Sequence, residues 1–226
     1  MMMFLRRIGG VLSITWSFLR ILPQWMVGSW KLLHLQQPIV TVFGGKRLEP
    51  DSVYEQLAFT MGEKLAREGI SVVTGGGPGV MRAANCGAAK GAPHKSRSMG
   101  IGVRGLNIEE PKNACVQQYL QTDYFPVRKH FLTYYSSAFI IFPGGFGTLD
   151  ELFEMLVLMQ TKKRSIVPVV LIGKEYWQPL LTWIGFAVDA GFVPQGHAAF
   201  IELTDDLDHA LQCAVSSCKN IKITHQ

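Results

Sequence analysis

The stretch AFIIFPGGFGTLDELFEMLV, residues 138–157, decides how this chain is read. Ala138–Phe142 is an unbroken apolar run of strand length, the pattern of a strand covered on both faces. It runs into Pro143-Gly144-Gly145-Phe146-Gly147. Leu149, Leu152, Phe153, Leu156 and Val157 then trace one face of a helix. Thr148 and Glu151 stand three apart near the helix start. That is the spacing of a capping box, so Thr148 is predicted as the N-cap and both residues have a structural role available. A carboxylate in a first helical turn also lies at the positive end of the helix dipole, which predicts an ionised Glu151.

The same order of strand, glycine turn and helix recurs on both sides. Ile39–Phe43 ends in Gly44-Gly45, and a helix capped by Asp51 or Ser52 carries Leu57, Met61 and Leu65 on one face. Ser71–Thr74 runs into Gly75-Gly76-Gly77-Pro78-Gly79, followed by a helix over Met81–Lys90. Further strands are predicted at Ser98–Val103, Ala114–Leu120, Ile166–Ile172 and Phe200–Leu203, and further helices at Phe125–Ser136, Tyr176–Ala190 and Asp205–Cys218. Strands separated by helices pair in parallel through right-handed crossovers. The expected class is therefore α/β: an open, doubly wound, mostly parallel sheet with helices on both faces. Such sheets bind ligands beyond the carboxyl ends of their strands, which is where both glycine loops fall. Glycines bring backbone amides close to a ligand, and a helix start presents free N–H groups to an anion. The first loop lacks the dinucleotide G-x-G-x-x-G spacing and has no Walker Gly-Lys-Ser/Thr. Two loops at one sheet edge suggest a shared phosphate cradle. Arg128-Lys129, just after Pro126, falls near the start of the next helix and reads as a basic surface pair on its own.

Residues 1–37 differ from the body at 38–226. They are apolar and rich in Trp, but Arg20 and Pro23 break the run well short of the roughly 20 residues a spanning helix needs. No small-residue cleavage pattern follows. With Trp16, Leu19 and Pro23 near one face, a helical extension docked on the body or on a partner subunit is expected ahead of membrane contact through residues 1–33. Across the 226 residues, 48% are hydrophobic and 17% charged, which excludes a disordered chain. Net charge is 22 − 17 = +5 with no run of five like charges, so nucleic-acid binding is not expected. Cys86, Cys115, Cys213 and Cys218 have no metal-site spacing. They are expected to be reduced thiols of a cytoplasmic protein, and neither a metal nor a cofactor is expected.

The string PGGFGTLDE at 143–151 resembles the PGGxGTxxE signature of the Lonely Guy (LOG) family, cytokinin riboside 5′-monophosphate phosphoribohydrolases often labelled lysine decarboxylases. GGGPGVMRAANCGA at 75–88 resembles the family's other motif, and Arg128-Lys129 matches its Arg-Lys upstream of the signature. A VTVFG-like strand with Arg47 after it, and Gln160-Thr161-Lys162-Lys163, are similar to the longer, type II branch. The resemblance implies a Rossmann-like fold, a homodimer or higher homo-oligomer, and hydrolysis of purine nucleoside 5′-monophosphates such as AMP or isopentenyl-AMP to free base and ribose 5-phosphate. It implies Arg128 and Glu151 as the catalytic pair. Gly144, Gly145, Gly147 and Thr148 would hold the phosphate, with Gly75, Gly76, Gly77, Gly79, Met81 and Lys129 completing the nucleotide site. Arg82 departs from the Glu common after that Met in relatives. A nucleotide carrier or regulator of the same fold, without turnover, is the competing expectation.

Overall fold

A computed structural model describes residues 21–48, 52–105, 112–196 and 199–224. Trp16, Leu19, Arg20 and Asp51, named above, lie outside the described residues. Seven strands form one parallel sheet: β1 (Ile39–Phe43), β2 (Ser71–Thr74), β3 (Ser98–Val103), β4 (Gln118–Thr122), β5 (Ala138–Ile141), β6 (Val169–Ile172) and β7 (Ile201–Thr204). Their order is β4-β3-β2-β1-β5-β6-β7. Chain order therefore reverses between β1 and β5, where Phe43 pairs with Ile141. The crossovers leaving these two strands go to opposite faces, and a crevice opens at their carboxyl ends.

Both faces are covered. Residues 21–34 are helical (α1), followed by α2 (Val53–Arg67), α3 (Val80–Gly91), α4 (Phe125–Thr133), α5 (Phe146–Gln160), α6 (Lys174–Asp189) and α7 (Leu207–Thr224). Alternate strand residues feed two cores. Val40, Val42, Ile140 and Phe142 pack with α2, α3 and α7. Ile39, Phe43, Phe139 and Ile141 pack with α1, α4, α5 and α6. Ser52 caps α2, its Oγ accepting from Glu55 N–H at 3.2 Å.

α1 docks on α4 and the β4 edge. Trp25 lies 4.1 Å from His130 and 5.4 Å from Phe131, ring centre to ring centre. Gln24 Nε2 donates to Asp123 Oδ2 at 2.7 Å, and Lys31 Nζ donates to Tyr119 O at 2.7 Å. Gly28 lets the helix come this close, because a Cβ there would overlap the Phe131 ring. Phe131 is fully buried and has no room to turn away. Gly28→Ala is expected to lower stability by about 1–3 kcal/mol, read as a lower midpoint of urea unfolding. No helix among the described residues is long and apolar enough to cross a membrane.

Expectations change at the cysteines and at the fourth strand. Cys86 and Cys115 are joined in a disulfide, with Cα atoms 4.7 Å apart, rather than being free thiols. Cys86 and Cys115 are 29 residues apart, so their approach depends on the fold and leaves no local spacing signal. The fourth strand begins at Gln118, not Ala114. Asn113 takes up the preceding backbone, its N–H donating to Gly76 O at 3.0 Å and its Oδ1 accepting from Cys115 N at 3.2 Å.

Candidate active site

The crevice at the β1/β5 reversal holds a cavity of about 640 Å³. Its walls come from the loops after β1, β2 and β5, the start of α4 and the start of α6. Of the residues singled out in the sequence, Gly75, Met81, Arg128, Lys129, Gly144, Gly145, Gly147, Thr148 and Glu151 line it together.

The two glycine loops have different tasks. In the first, Gly76, Gly77 and Gly79 are absent from the cavity lining. Gly76 N–H donates to Thr74 Oγ1 at 2.9 Å, and Gly77 O accepts from Asn113 Nδ2 at 3.0 Å. Gly79 has φ +66, a backbone conformation natural to glycine, and lies against Gly45 and Lys46 of the β1 loop. Beneath them, Thr74 Oγ1 donates to Asn85 Oδ1 at 2.7 Å, and Asn85 Nδ2 donates to Ser98 Oγ at 2.9 Å. All four polar residues, Thr74, Asn85, Ser98 and Asn113, are buried, and their hydrogen bonds fix the loop. Gly75 faces the cavity, and a Cβ there would overlap the Arg128 guanidinium.

The second loop is open. A Cβ at Gly145 or Gly147 would meet nothing within 4 Å, so packing does not require glycine at either place. Their bareness leaves space beside the backbone amides at the start of α5. The N-cap of α5 is Gly145, not Thr148. Thr148 N–H donates to Gly145 O at 3.0 Å, and its hydroxyl leans over Gly144. The capping box is therefore not formed, and Glu151 lies in the second turn of the helix rather than the first.

That placement reverses the expectation for its charge. Glu151 is only 6% exposed, and no described group hydrogen-bonds its Oε2. Burial pushes its carboxyl up from 4.5 to about 7, against the opposing pull of Arg128 and Lys129. It sits near the midpoint of its titration at neutral pH instead of being held ionised by the helix dipole.

Arg128 is aimed by α4, which starts at Phe125-Pro126. Its Nε donates to Ile101 O at 3.0 Å. The far end of α4 is tied down by Arg164, whose guanidinium donates to Thr133 O and Ser136 O. Lys129 Nζ lies 2.7 Å from Asp150 Oδ2 and 3.1 Å from Glu154 Oε2. Burial works to lower its pKa, but these carboxylates and Glu151 outweigh it and hold the ammonium above its usual range. Arg82 pairs with Glu55 on α2 and is absent from the lining.

Several lining residues carried no signal in the sequence: Lys46 after β1, Tyr54 from α2, Phe125 and Tyr176; Arg47 and the 92%-exposed Phe146 stand in the family strings but without a role assigned to them. The strand order brings these separate segments together. Tyr54 and Tyr176 are 122 residues apart (176 − 54) and line one cavity because β1, β5 and β6 are neighbours.

A family model described as "Possible lysine decarboxylase" matches residues 81–213. The chain is 31% identical over 156 residues to a probable cytokinin riboside 5′-monophosphate phosphoribohydrolase of Oryza sativa subsp. japonica, covering 68% of this chain and 62% of that one. A second protein from the same rice, named a cytokinin riboside 5′-monophosphate phosphoribohydrolase, is 29% identical, covering 69% of this chain and 64% of its own length. The chain thus spans under two thirds of these two relatives. A cytokinin riboside 5′-monophosphate phosphoribohydrolase of Rhodococcoides fascians is 29% identical over 176 residues, covering 76% of this chain and 86% of its own. Among solved structures, the molybdenum cofactor binding protein of Rippkaea orientalis superposes with a TM-score of 0.57 at 23% identity, covering 80% of this chain and 97% of that one. The molybdenum cofactor carrier protein of Chlamydomonas reinhardtii gives 0.57 at 22%, covering 80% and 98%. These last two share the fold.

Proposed function

Because the chain belongs to the LOG family, whose model carries the lysine decarboxylase description, we propose that it hydrolyses the N-glycosidic bond of purine nucleoside 5′-monophosphates. The products are the free base and ribose 5-phosphate. One observation carries the reading: a buried carboxylate, Glu151, and a backbone-anchored guanidinium, Arg128, share one cavity with the glycine loop at Gly144–Thr148.

The amides of the second loop and the Thr148 hydroxyl take the phosphate, with Arg47 and Lys129 supplying positive charge at the rim. Holding the phosphate sets the anomeric carbon beside Glu151. As the ribosyl C–N bond breaks, its electron pair leaves with the base and positive charge builds on the sugar. Ionised Glu151 stabilises that charge and accepts a proton from the water that forms the new C–O bond. The departing base gains a proton in turn, so the reaction consumes one water and no net proton. Arg128 keeps its proton and acts through its charge, on the phosphate or on the leaving base. A lysine decarboxylase would carry pyridoxal phosphate on a lysine amine. Lys129, ion-paired and held as an ammonium, does not fit that use.

Incubation with a panel of nucleoside 5′-monophosphates, scored for ribose 5-phosphate and for free base by chromatography, tests the proposal. Release from AMP or isopentenyl-AMP is expected. Binding of AMP with no base released would point to a carrier instead. The loop makes its own prediction. Gly147→Ala adds a methyl group in open space at a helix start, so folding is expected to be unchanged or improved by up to about 1 kcal/mol. The same methyl group obstructs the phosphate, and AMP hydrolysis should fall at least about tenfold in kcat/KM.

A further inference from the structure

The second glycine loop is gripped from outside by α6. Gly173 leaves β6 at φ +107, and a Cβ there would come within 3.1 Å of Pro143 and of the Tyr54 ring. This tight exit starts α6 against the loop, and the Tyr176 hydroxyl donates to Gly144 O. The Tyr176 ring is braced edge-on against Trp177, with centroids 4.9 Å apart. Trp177 is buried, and its Nε1 donates to Ile172 O at 3.2 Å. The hydroxyl is therefore held by a fixed neighbour on one side and a carbonyl of the loop on the other.

A trans peptide is planar, with its C=O and N–H pointing in opposite directions. Fixing Gly144 O fixes the direction of Gly145 N–H. That N–H has no acceptor among the described residues, and a Cβ at Gly145 would meet nothing within 4 Å beyond its own chain neighbours. We propose that Tyr176 is a positioning residue for phosphate recognition. By holding the Gly144 carbonyl toward α6, it presents the Gly145 amide to the phosphoryl group. The site thereby selects nucleoside 5′-monophosphates over the corresponding nucleosides. This inference rests on the phosphoribohydrolase reading and adds a residue to it.

Tyr176→Phe, made in the full chain, removes the hydroxyl and keeps the ring. With AMP as substrate, KM is expected to rise about tenfold while kcat changes little, since one hydrogen bond to a charged group is lost at the binding step. Calorimetry on the Glu151→Gln background, with AMP, adenosine and inorganic phosphate as probes, should show AMP and phosphate weakened about tenfold and adenosine unchanged. A packing role alone would weaken AMP and adenosine equally, and that result overturns the proposal. So does a parent chain with no preference for AMP over adenosine. Were Tyr176→Phe to lower stability, the AMP-to-adenosine ratio within that one variant would still decide. If the parent chain binds AMP in preference to adenosine, and the variant loses the preference, but no nucleotide releases its base, positioning stands and the hydrolase reading fails. If base is released but the variant keeps the parental ratio, hydrolysis stands and positioning fails.

Discussion

Glu151→Gln is expected to lose hydrolysis by a factor of about 10²–10⁴ and, at pH 8, to fold more stably than the parent chain. The two effects share one cause. The carboxyl is buried beside Arg128 and lacks a partner for Oε2, so burial moves its ionisation from 4.5 to about 7. A raised carboxyl pKa gives stability that is fully present below pH 4.5, where both folded and unfolded chains hold the proton. That stability is lost as pH rises through about 7, because the unfolded chain has already released its proton. The loss is on the order of 3 kcal/mol. Glutamine has the same shape and never ionises, so it escapes the loss. Urea unfolding of both chains at about pH 4.5 and about pH 8 checks this: the difference between them should grow with pH. Turnover of the parent chain should rise with pH through about 7, as the working, ionised form fills. A variant with parental activity would make Glu151 purely structural, and a flat stability difference would mean its carboxyl is not perturbed.

Arg128→Ala is expected to reduce kcat/KM for AMP by about 10²–10³, the usual effect of removing one charge-stabilising group from an active site. It should also move the pH profile. Arg128 is the main charge drawing the Glu151 pKa down, so without it the rise of activity with pH should occur at higher pH. A residue that merely packed would not produce that displacement. Arg128→Lys should restore little. Its ammonium lacks the Nε that donates to Ile101 O, and with it the planar fork that holds the charge in place. Kinetics across roughly pH 6–9 for the parent and both variants would show it, and a lysine variant with full activity would reduce the role of Arg128 to net charge.

The central strands were legible because their apolar runs end in turn residues. Ile39–Phe43, Ser71–Thr74 and Ser98–Val103 match the observed strands at both ends. The errors lie where a side chain competes with the backbone pattern. Asn113 and the Cys86–Cys115 bond hold the segment that looked like the start of the fourth strand. Pro168, with no N–H to give, marks the point before which Ile166 and Val167 cannot join the ladder. Thr148 had the spacing of an N-cap, but α5 starts earlier, at Phe146. In the site, the family motifs gave the residues close together in sequence. Tyr54 and Tyr176 carry no local signal, because their place in one cavity depends on which strands are neighbours. The charge of Glu151 was misjudged for a related reason: dipole position is local, whereas burial is a property of the assembled fold.

The hydrogen bonds under the first loop have one more consequence. Gly76 commits its amide to Thr74, so that N–H is not available to an incoming anion. Foundation and grip are thus separate parts of the molecule, one sealed and the other exposed. Changes of specificity can accumulate at Gly145, Phe146 and the head of α6 while the buttress around Asn85 stays untouched. An engineer seeking a different phosphorylated ligand would do well to start on that side.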